Sequence, residues 1–391
     1  MNAVRRADTE KQMKHLEIKM KKTILGIIFL SALSAFAQMP SGQQTFPVPQ
    51  IPFAPKHYVC YRTDGPIRID GKLDEPSWKK AAWTDYFVDI QGSSQPVPRY
   101  KTRVKMLWDS KYLYVGAELQ EPNLWATLRE RDTVIFRNND FEVFIDPNGS
   151  TTPYYETEIN ALGTVWDLLL RAPYRDIAGA PINAFDITGL KVAVGLHGTL
   201  DNPSDVDSGW TVEIAFPWSI LGEGSLTGAP PAPGSQWRIN FSRVEWHLNV
   251  KNGVYEKATD PKTGRTLPED NWVWSPQGLI NMHYPEMWGF LQFSDKVVGD
   301  GKSDFLWNPV EDAKWDLRLV YYAERQYFEN HGEFTPDLSK LDLKELPLSG
   351  YSLPPKVYVT PSLFEGIIQN TDGKTSVHIE QDGKTWITTN K

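Results

Sequence analysis

Length, composition and charge restrict the class of protein at the outset. The chain has 391 residues, of which 40% are hydrophobic and 23% are charged, and its formal net charge at pH 7 is -8. These proportions are typical of a globular protein with one large or two ordinary domains. The net negative charge offers no electrostatic footprint for nucleic acid, so we expect no nucleic-acid partner. Cys60 is the single cysteine and cannot form an internal disulfide.

The first part of the chain has the layout of a secretory signal peptide. MKKTILGIIFLSALSAFAQ begins at Met20 with two lysines, continues through an apolar run and has Ala-Phe-Ala just before Gln38. This layout predicts a signal peptide within residues 1–37, with Met20 as the true start after a misannotated N-terminal extension. The apolar run is too short to span a bilayer, and we expect no membrane span. The sequence therefore predicts an exported protein that is periplasmic or extracellular.

Strand signals follow a segment rich in Pro, Gln and Ser, residues 38–55, which is predicted to be a linker. TRVKMLWDSKYLYVGAEL predicts a hairpin, because apolar side chains alternate with other residues on both sides of a short turn. Apolar side chains also alternate in WTVEIAFPW and WRINFSRVEW. The alternation in these three segments assigns Trp108, Trp210 and Trp237 to the core. Residues 56–298 are therefore predicted to form a mainly β domain, an antiparallel β-sandwich.

The composition changes after Asp295. AKWDLRLVYYAERQYFENHGEF has apolar residues at helical spacing and a stop at Gly332, so it predicts a helix. Three strand-like segments after it are separated by Asp-Gly pairs, which are hairpin turn signals. Residues 299–391 are therefore predicted to form a small C-terminal α+β unit, one helix plus a β-meander, whose role is unknown.

Two strand-like segments carry polar side chains at alternate positions. In DFEVFID and YETEIN, side chains two residues apart share one face of a strand. If the two strands are neighbours, one polar face contains Asp140, Glu142, Glu156, Glu158 and Asn160. Such a face suits sugar hydroxyls, or could hold Ca²⁺ through oxygen ligands. Ca²⁺ is a possible cofactor, and its ligands stay unassigned between this face and the acidic turns DPNG and DNPSDVDSG.

Five blocks of sequence resemble the family 9 carbohydrate-binding modules and the wider DOMON-like group of sandwich domains. The blocks are IDGKLDEPSWKKA, VKMLWDSKYLYVGAELQEP, NNDFEVFIDPNG, GWTVEIAFPWSIL and WSPQGLINMHYPEMWGFLQF. Their order and spacing cover the β-rich region but not the C-terminal unit. The resemblance implies a β-sandwich that binds sugar without catalysis and is often stabilised by calcium.

The resemblance also implies a binding site. The family holds a sugar between two aromatic rings beside an acidic side chain; by position the acid is Glu142 and the first ring is Phe136, where the family has Trp. On the next strand the family has Arg and Asn, whereas this chain has Glu158 and Asn160. The second ring would lie in the loop 277–285, where this chain offers His283 but no Trp.

Other residues could complete a sugar site. Trp274 precedes the loop 277–285, and SRVEWH contributes Arg243 and Trp246. An aromatic ring that is exposed beside polar groups can stack on a sugar while those groups bind its hydroxyls. These three residues join the candidate ligand-binding set, which also contains Asp140.

These observations predict an exported, non-catalytic protein that binds polysaccharide or oligosaccharide, in support of glycan degradation. One alternative is a periplasmic interaction or scaffold domain without a sugar ligand. A second is a glycoside hydrolase, since paired carboxylates such as Glu142 and Glu158 can catalyse hydrolysis. A third is a haem-binding electron-transfer domain, for which Met282, His283 and Met287 are candidate axial ligands.

Overall fold

Residues 46–343 and 350–389 are described by the structure, which is a computed structural model. The predicted signal peptide and residues 38–45 of the predicted linker lie outside the described residues. The described residues belong to one unit, Phe46–Lys391.

The described chain is mainly β. Its strands are β1 His57–Arg62, β2 Val88–Asp89, β3 Thr102–Trp108, β4 Tyr112–Gln120, β5 Asp140–Asp146, β6 Tyr154–Asn160, β7 Val165–Leu170, β8 Pro181–Ile182, β9 Lys191–His197, β10 Gly209–Pro217, β11 Gln236–Glu245, β12 Leu248–Lys251, β13 Val254–Lys257, β14 Asp270–Val273, β15 Gly289–Val297, β16 Tyr351–Val359, β17 Phe364–Asn370, β18 Thr375–Glu380 and β19 Thr385–Thr389. Its α-helices are α1 Pro76–Lys80, α2 Trp218–Leu221 and α3 Val310–His331.

One 13-stranded sheet contains the strands up to β15 except β12 and β13, which pair with each other. Its main path runs β8-β7-β6-β5-β11-β15-β1-β3-β4-β10-β9, and β14 pairs with β11 and β2. Neighbouring strands are antiparallel except β1, which is parallel to both β15 and β3. The long connection through α1 allows the parallel pairing of β1 with β3, because parallel neighbours need a crossover. With this exception the predicted antiparallel sandwich is confirmed.

The sheet folds over one large apolar core, and smaller apolar clusters lie elsewhere in the described chain. Apolar side chains of β3, β4 and β10 pack in one cluster with those of β5, β11 and β15. The cluster contains Trp108, Trp210 and Trp237, as the alternation predicted. Each large apolar side chain that is fully buried stabilises the fold by roughly 1.5–3 kcal/mol relative to exposure. The polar side chains of β5 and β6 therefore lie on the opposite face of the sheet.

The C-terminal helix and meander are confirmed. Helix α3 ends at Gly332, whose φ of 74° is left-handed and whose N–H donates to the carbonyl of Phe328 at 2.7 Å. Strands β16 to β19 form a 4-stranded antiparallel meander in sequence order. Leu317 of α3 packs with Ile368 and Val377 of this sheet.

Helix α3 also shares a core with residues that lie far earlier in the chain. Phe46 lies within the predicted linker, and it packs with Tyr284 and Met287 against α3. Phe53, from the same segment, stacks on Trp315 with 4.5 Å between ring centroids. The described part of the predicted linker is thus packed, while the boundaries at 55 and 298 stay predictions.

Buried ion pairs join α3 to two loops of the sandwich. Arg175 donates to both carboxylate oxygens of Glu286 at 2.8 and 3.0 Å, and the Tyr322 hydroxyl donates to the same carboxylate at 2.5 Å. Asp176 accepts hydrogen bonds from Tyr321 and from Arg325. Because these groups are buried, removing one partner would leave an uncompensated charge and cost about 3–5 kcal/mol. The loop around Arg175 is therefore fixed on α3.

Across residues 46–343 and 350–389, none of the helices has the length and apolar character that crossing a membrane requires.

Candidate functional site

Strands β5 and β6 are neighbours and bring their acidic side chains together. In the antiparallel register Asp140 is opposite Asn160, and Glu142 is directly opposite Glu158. Glu156 lies two residues from Glu158, so it shares the same face. The geometric prediction of one shared polar face is confirmed.

Strand β11 extends this face on the other side of β5. Ser242 is paired with Glu142 in the antiparallel register, so its side chain lies on the same face as the acids. Val244 follows two residues later and lines the same cleft as Glu142. Three adjacent strands therefore form the floor of the site.

A cleft of about 390 Å³ lies over this floor. The side chains at its base are Glu142, Phe144, Glu156, Glu158 and Val244. Its walls are formed by Ile90, Phe136, Trp166, Tyr174, Glu269, Asn271, Ile280, Asn281, Met282 and His283. The cleft combines aromatic rings with carboxylate acceptors, which is the combination that binds a sugar ring and its hydroxyls.

A short 3-10 turn, Ile135–Arg137, places Phe136 at the edge of the cleft. The backbone N–H of Phe136 donates to the Glu158 carboxylate at 2.8 Å. The Phe136 carbonyl accepts from the Trp246 indole N–H at 2.9 Å. The Phe136 ring is 38% exposed, so it faces the cleft rather than the core. The residue that the resemblance assigned as the first ring therefore has an accessible face.

Tyr174 and His283 form another wall. The Tyr174 ring is 46% exposed and packs edge-on against the His283 ring, with 4.5 Å between centroids. His283 Nδ1 lies 2.9 Å from the Tyr154 hydroxyl. Burial, and then the positive charge of Arg175, lower the pKa of His283 to about 3. His283 is therefore neutral at physiological pH and contributes no positive charge to the cleft.

Burial perturbs the carboxyl groups of the floor. It raises the pKa of Glu142 to about 7. Burial first, and then the charge of Glu142, raise the pKa values of Asp140, Glu156 and Glu158 well above their usual range. Four neighbouring buried acids cannot all ionise unless a cation compensates their charge, and without one some of them retain their protons.

Trp274 is not part of the site, and its assignment as a ligand-binding residue is wrong. Its side chain is 2% exposed and belongs to the large core. Its ring packs against Phe241 with 5.9 Å between centroids. A Cβ at Gly289 would lie only 2.4 Å from this ring, so the glycine makes room for it. The prolines and glycines around Trp274 suggested a loop, but the indole points inward from it.

Arg243 is also wrongly assigned. It lies on β11 with its guanidinium on the inner face, where it donates to Glu121 at 2.9 Å and to Glu245 at 2.8 Å. The Thr102 hydroxyl accepts a further hydrogen bond at 3.1 Å. The side chain is buried in this network. Residues 242 and 243 point to opposite faces of a strand, so Ser242 lies on the cleft side instead.

Asn160 and Asp140 are buried below the cleft and cannot contact a ligand from the surface. Asn160 stabilises the local turn: its amide donates to the Leu128 carbonyl at 2.8 Å, and its oxygen accepts from Leu162 and Thr164. Asp140 accepts one hydrogen bond from the Val244 N–H at 3.2 Å. Direct sugar recognition by Asn160 is therefore wrong for this structure.

Trp246 supports the site from outside rather than lining it. Its ring is half-buried, and Lys257 Nζ lies 3.1 Å from the ring centroid. Its indole N–H holds the carbonyl of Phe136. Trp246 therefore positions the turn that presents Phe136.

Sequence reasoning missed two aromatic residues of the cleft walls, Trp166 and Tyr174. Trp166 of β7 is paired with Glu158, so the alternation of β7 could have placed it beside the acids. Tyr174 lies in a loop between β7 and β8, where no periodic signal exists. Its position depends on the ion pairs of Arg175 with distant residues.

The candidate haem ligands do not converge. Met287 packs with α3, whereas Met282 packs in a different cluster with Ile90 and Trp288. His283 is directed toward Tyr154.

Backbone N–H groups donate hydrogen bonds to acidic side chains in both of the acidic turns, DPNG and DNPSDVDSG. Asp146 accepts from Asn148, Gly149 and Thr151, and Asp207 accepts from Leu124 and Thr199.

Part of the chain is similar to a known protein family. Residues 69–245 match the model of a family described as carbohydrate family 9 binding domain-like. The match begins in the first of the five blocks and ends on β11, so it includes the cleft floor.

Two curated relatives are larger enzymes. Endo-1,4-β-xylanase C of Paenibacillus barcinonensis is 38% identical over 97 residues, which are 24% of this chain and 8% of the xylanase. Exoglucanase XynX of Acetivibrio thermocellus is 29% identical over 153 residues, which are 39% of this chain and 12% of the exoglucanase. The chain thus matches only a small part of either enzyme.

Among solved structures, a family 9 carbohydrate-binding module of Caldicellulosiruptor kristjanssonii was determined in complex with cellotriose. It has 15% sequence identity and a TM-score of 0.40, and the alignment covers 63% of this chain and 99% of that module. Residues 69–245 are thus the part of the chain that is similar to the carbohydrate family 9 binding domain-like family.

Proposed function

We propose that the cleft between Phe136 and Tyr174 binds polysaccharide or oligosaccharide, and that the protein is a non-catalytic carbohydrate-binding protein. The observation that supports this proposal most directly is an exposed ring placed beside carboxylate acceptors. Phe136 is exposed and bonded through its backbone to Glu158. A ring stacks on the C–H face of a sugar while carboxylates accept hydrogen bonds from its hydroxyls.

The sequence and the relatives support a proposal for the biological role. The signal-peptide layout at Met20 supports export to the periplasm or the cell exterior. The matched relatives are named as a xylanase and an exoglucanase, which supports a role beside enzymes that degrade plant polysaccharide. In this proposal the domain holds the polymer, or fragments of it, during degradation.

A glycan array followed by titration with the best-bound oligosaccharide tests the proposal. We expect Phe136→Ala and Tyr174→Ala each to weaken binding by about tenfold, which corresponds to ~1.4 kcal/mol. The matched control is Tyr86→Ala: Tyr86 is also 46% exposed but does not line this cleft. Binding should be unchanged in this control.

Two results would count against the proposal. If the wild type retained no glycan, an interaction or scaffold role without a sugar ligand would replace it. If the purified protein hydrolysed a polysaccharide and Glu142→Gln abolished the hydrolysis, the non-catalytic assignment would fail, because a paired-carboxylate mechanism would then operate.

A further inference from the structure

The cleft presents several carboxyl groups to whatever occupies it. Glu142, Glu156 and Glu158 line its floor, and all three are buried. Asp140 lies just below, with one carboxylate oxygen within 4.8 Å of one from each of Glu142 and Glu158. Glu269 adds a further acid in the wall. A ligand in this cleft therefore meets a strongly acidic surface.

Basic side chains do not compensate this charge from within the cleft. Among the described residues that line it, none is Lys or Arg, and His283 is neutral because of its lowered pKa. Three cations lie near the walls and have partners outside the cleft: Arg243 with Glu245, Arg175 with Glu286, and Lys257 over the ring of Trp246. A cationic ligand would therefore meet no basic side chain inside the cleft.

A second acidic group in the same domain is compensated by the protein itself. Asp132, Asp167 and Asp186 also approach one another within 4.8 Å. There, Arg131 forms ion pairs with all three carboxylates. The cleft floor lacks an equivalent of Arg131 among the described residues that line it.

Glu156 lacks a donor that its burial calls for. Its side chain lines the cleft but is only 5% exposed, and its Oε2 has no hydrogen-bond partner among the described residues. Buried polar atoms in proteins are nearly always hydrogen-bonded. An acceptor without a donor at the base of a cleft therefore points to a donor that a ligand supplies.

Aromatic rings surround the same carboxyl groups. Trp166 is paired with Glu158 on the neighbouring strand. Burial first, and then the charges of Glu156 and Glu158, raise the pKa of Tyr174, so its hydroxyl stays protonated near these acids. Phe136 stands at the edge of the cleft, bonded through its backbone to Glu158. Ring faces attract cations, and rings grouped around a pocket are a known way to recognise an ammonium group.

We propose that the cleft binds sugars that carry a protonated amino group, such as the glucosamine units of deacetylated chitin. This inference rests on the proposed function and names the ligand class of the same site. An ammonium group has three N–H donors and a positive charge, which suits a floor of carboxylates, whereas a hydroxyl offers one donor and no charge. Because the amino group replaces one hydroxyl of the ring, the ring can still stack on Phe136.

Calorimetric titration of the wild-type protein with three matched trisaccharides tests the proposal. They are the trimer of glucosamine, its fully N-acetylated form and cellotriose, which have an ammonium, an acetamide and a hydroxyl at the same ring position. We expect the glucosamine trimer to bind at least about tenfold tighter than the other two near neutral pH, because only it brings a positive charge to the floor. A chelator is present throughout, so that metal ions do not occupy the floor.

Two floor variants locate the preference. Glu156→Gln and Glu158→Gln keep the size of the side chain and remove its charge, and each should reduce the preference for the glucosamine trimer over cellotriose severalfold. Asp186→Asn, in the group that Arg131 compensates, should leave the preference unchanged. Glu156→Gln should also melt at or above the wild-type temperature, because it removes repulsion between buried acids. If a floor variant melts lower, the comparison of the three sugars in the wild type decides.

Equal affinity of the wild type for the three trisaccharides would overturn the proposal. An unchanged preference in both floor variants, or an equal loss in Asp186→Asn, would do the same. Cellotriose binding that is lost in Phe136→Ala, without a preference for the glucosamine trimer, would count against this inference alone and leave the proposed function standing. Absence of binding to any sugar would count against both.

Discussion

Glu324 is a fully buried carboxyl group on α3. One of its oxygens accepts from the Thr335 N–H at 3.1 Å, and the other has no partner among the described residues. Burial raises the pKa of Glu324 to about 7. The folded protein therefore retains a proton on Glu324 at a pH where the unfolded chain has lost it.

Because the folded-state pKa of Glu324 is raised, its stabilising contribution is complete below the unfolded pKa of about 4.3 and is lost as the pH rises through about 7. We expect Glu324→Gln to remove this loss and to raise the melting temperature at pH 8 by a few degrees, with little effect at pH 4.5.

Thermal unfolding in chelator at both pH values measures this difference. Glu329→Gln is the control, because Glu329 is exposed on the same helix. A gain for Glu324→Gln that is equal at pH 4.5 and pH 8 would show that titration of this group is not the cause.

Alternation in the sequence predicted the positions of some site residues but not of others. The period of two placed Glu142 and Glu158 on one face, since alternation is a local property of a strand. It could not place the ring of Trp274, which leaves a Pro- and Gly-rich segment and enters the core beside Gly289. Nor could it pair Arg243 with Glu121, because that contact joins β11 to the residue that follows β4. The composition around Trp274 and Arg243 suggested a polar surface. A charged side chain that is buried in an ion pair cannot be distinguished, from sequence alone, from one that is exposed to solvent.

Helix α3 positions one wall of the cleft without lining it. The Tyr321 hydroxyl contacts Asp176, and it lies 3.3 Å from Arg175 Nε. Arg175 in turn donates to the carbonyl of His283 at 3.0 Å. Tyr174 and His283 are the wall residues that adjoin these contacts. The helix therefore holds two loops in the geometry that forms the cleft.

We expect Tyr321→Phe to loosen this wall, because it removes the hydroxyl that is bonded to buried Asp176. Amide exchange in residues 171–180 should accelerate, and sugar affinity should fall severalfold although α3 does not line the cleft. Tyr327→Phe is the control, since Tyr327 stacks on His331 at the end of the same helix. Unchanged exchange in residues 171–180 would show that α3 does not position this wall.

At this scale the sequence predicted the elements better than their contacts. The apolar spacing and Gly332 predicted α3, because both signals are local. The packing of α3 against Phe46 joins segments that are far apart in the chain, and no periodicity encodes it. The position of Tyr174 in the cleft could not be predicted for the same reason, because it depends on contacts between segments that are distant in the sequence.

The whole molecule depends on the C-terminal unit for part of its core. Tyr284 and Met287 of the sandwich pack in the same cluster as α3 and the meander, and Glu286 is paired there with Arg175. We expect the fragment 38–298 to melt well below the chain 38–391 or to aggregate, because the deletion exposes this apolar surface. Thermal unfolding of both proteins measures the difference. Equal melting temperatures would indicate that residues 38–298 fold independently of the C-terminal unit, as the predicted boundary at 298 implies.

The central claim concerns where a sugar binds, and a crystal structure of the protein soaked with mixed oligosaccharides tests it most directly. We expect a sugar ring stacked on Phe136, with hydroxyls directed toward Glu142 and Glu158 on the floor of the cleft. A sugar bound elsewhere, for example beside the exposed ring of Tyr86, with the cleft between Phe136 and Tyr174 left without sugar, would contradict it.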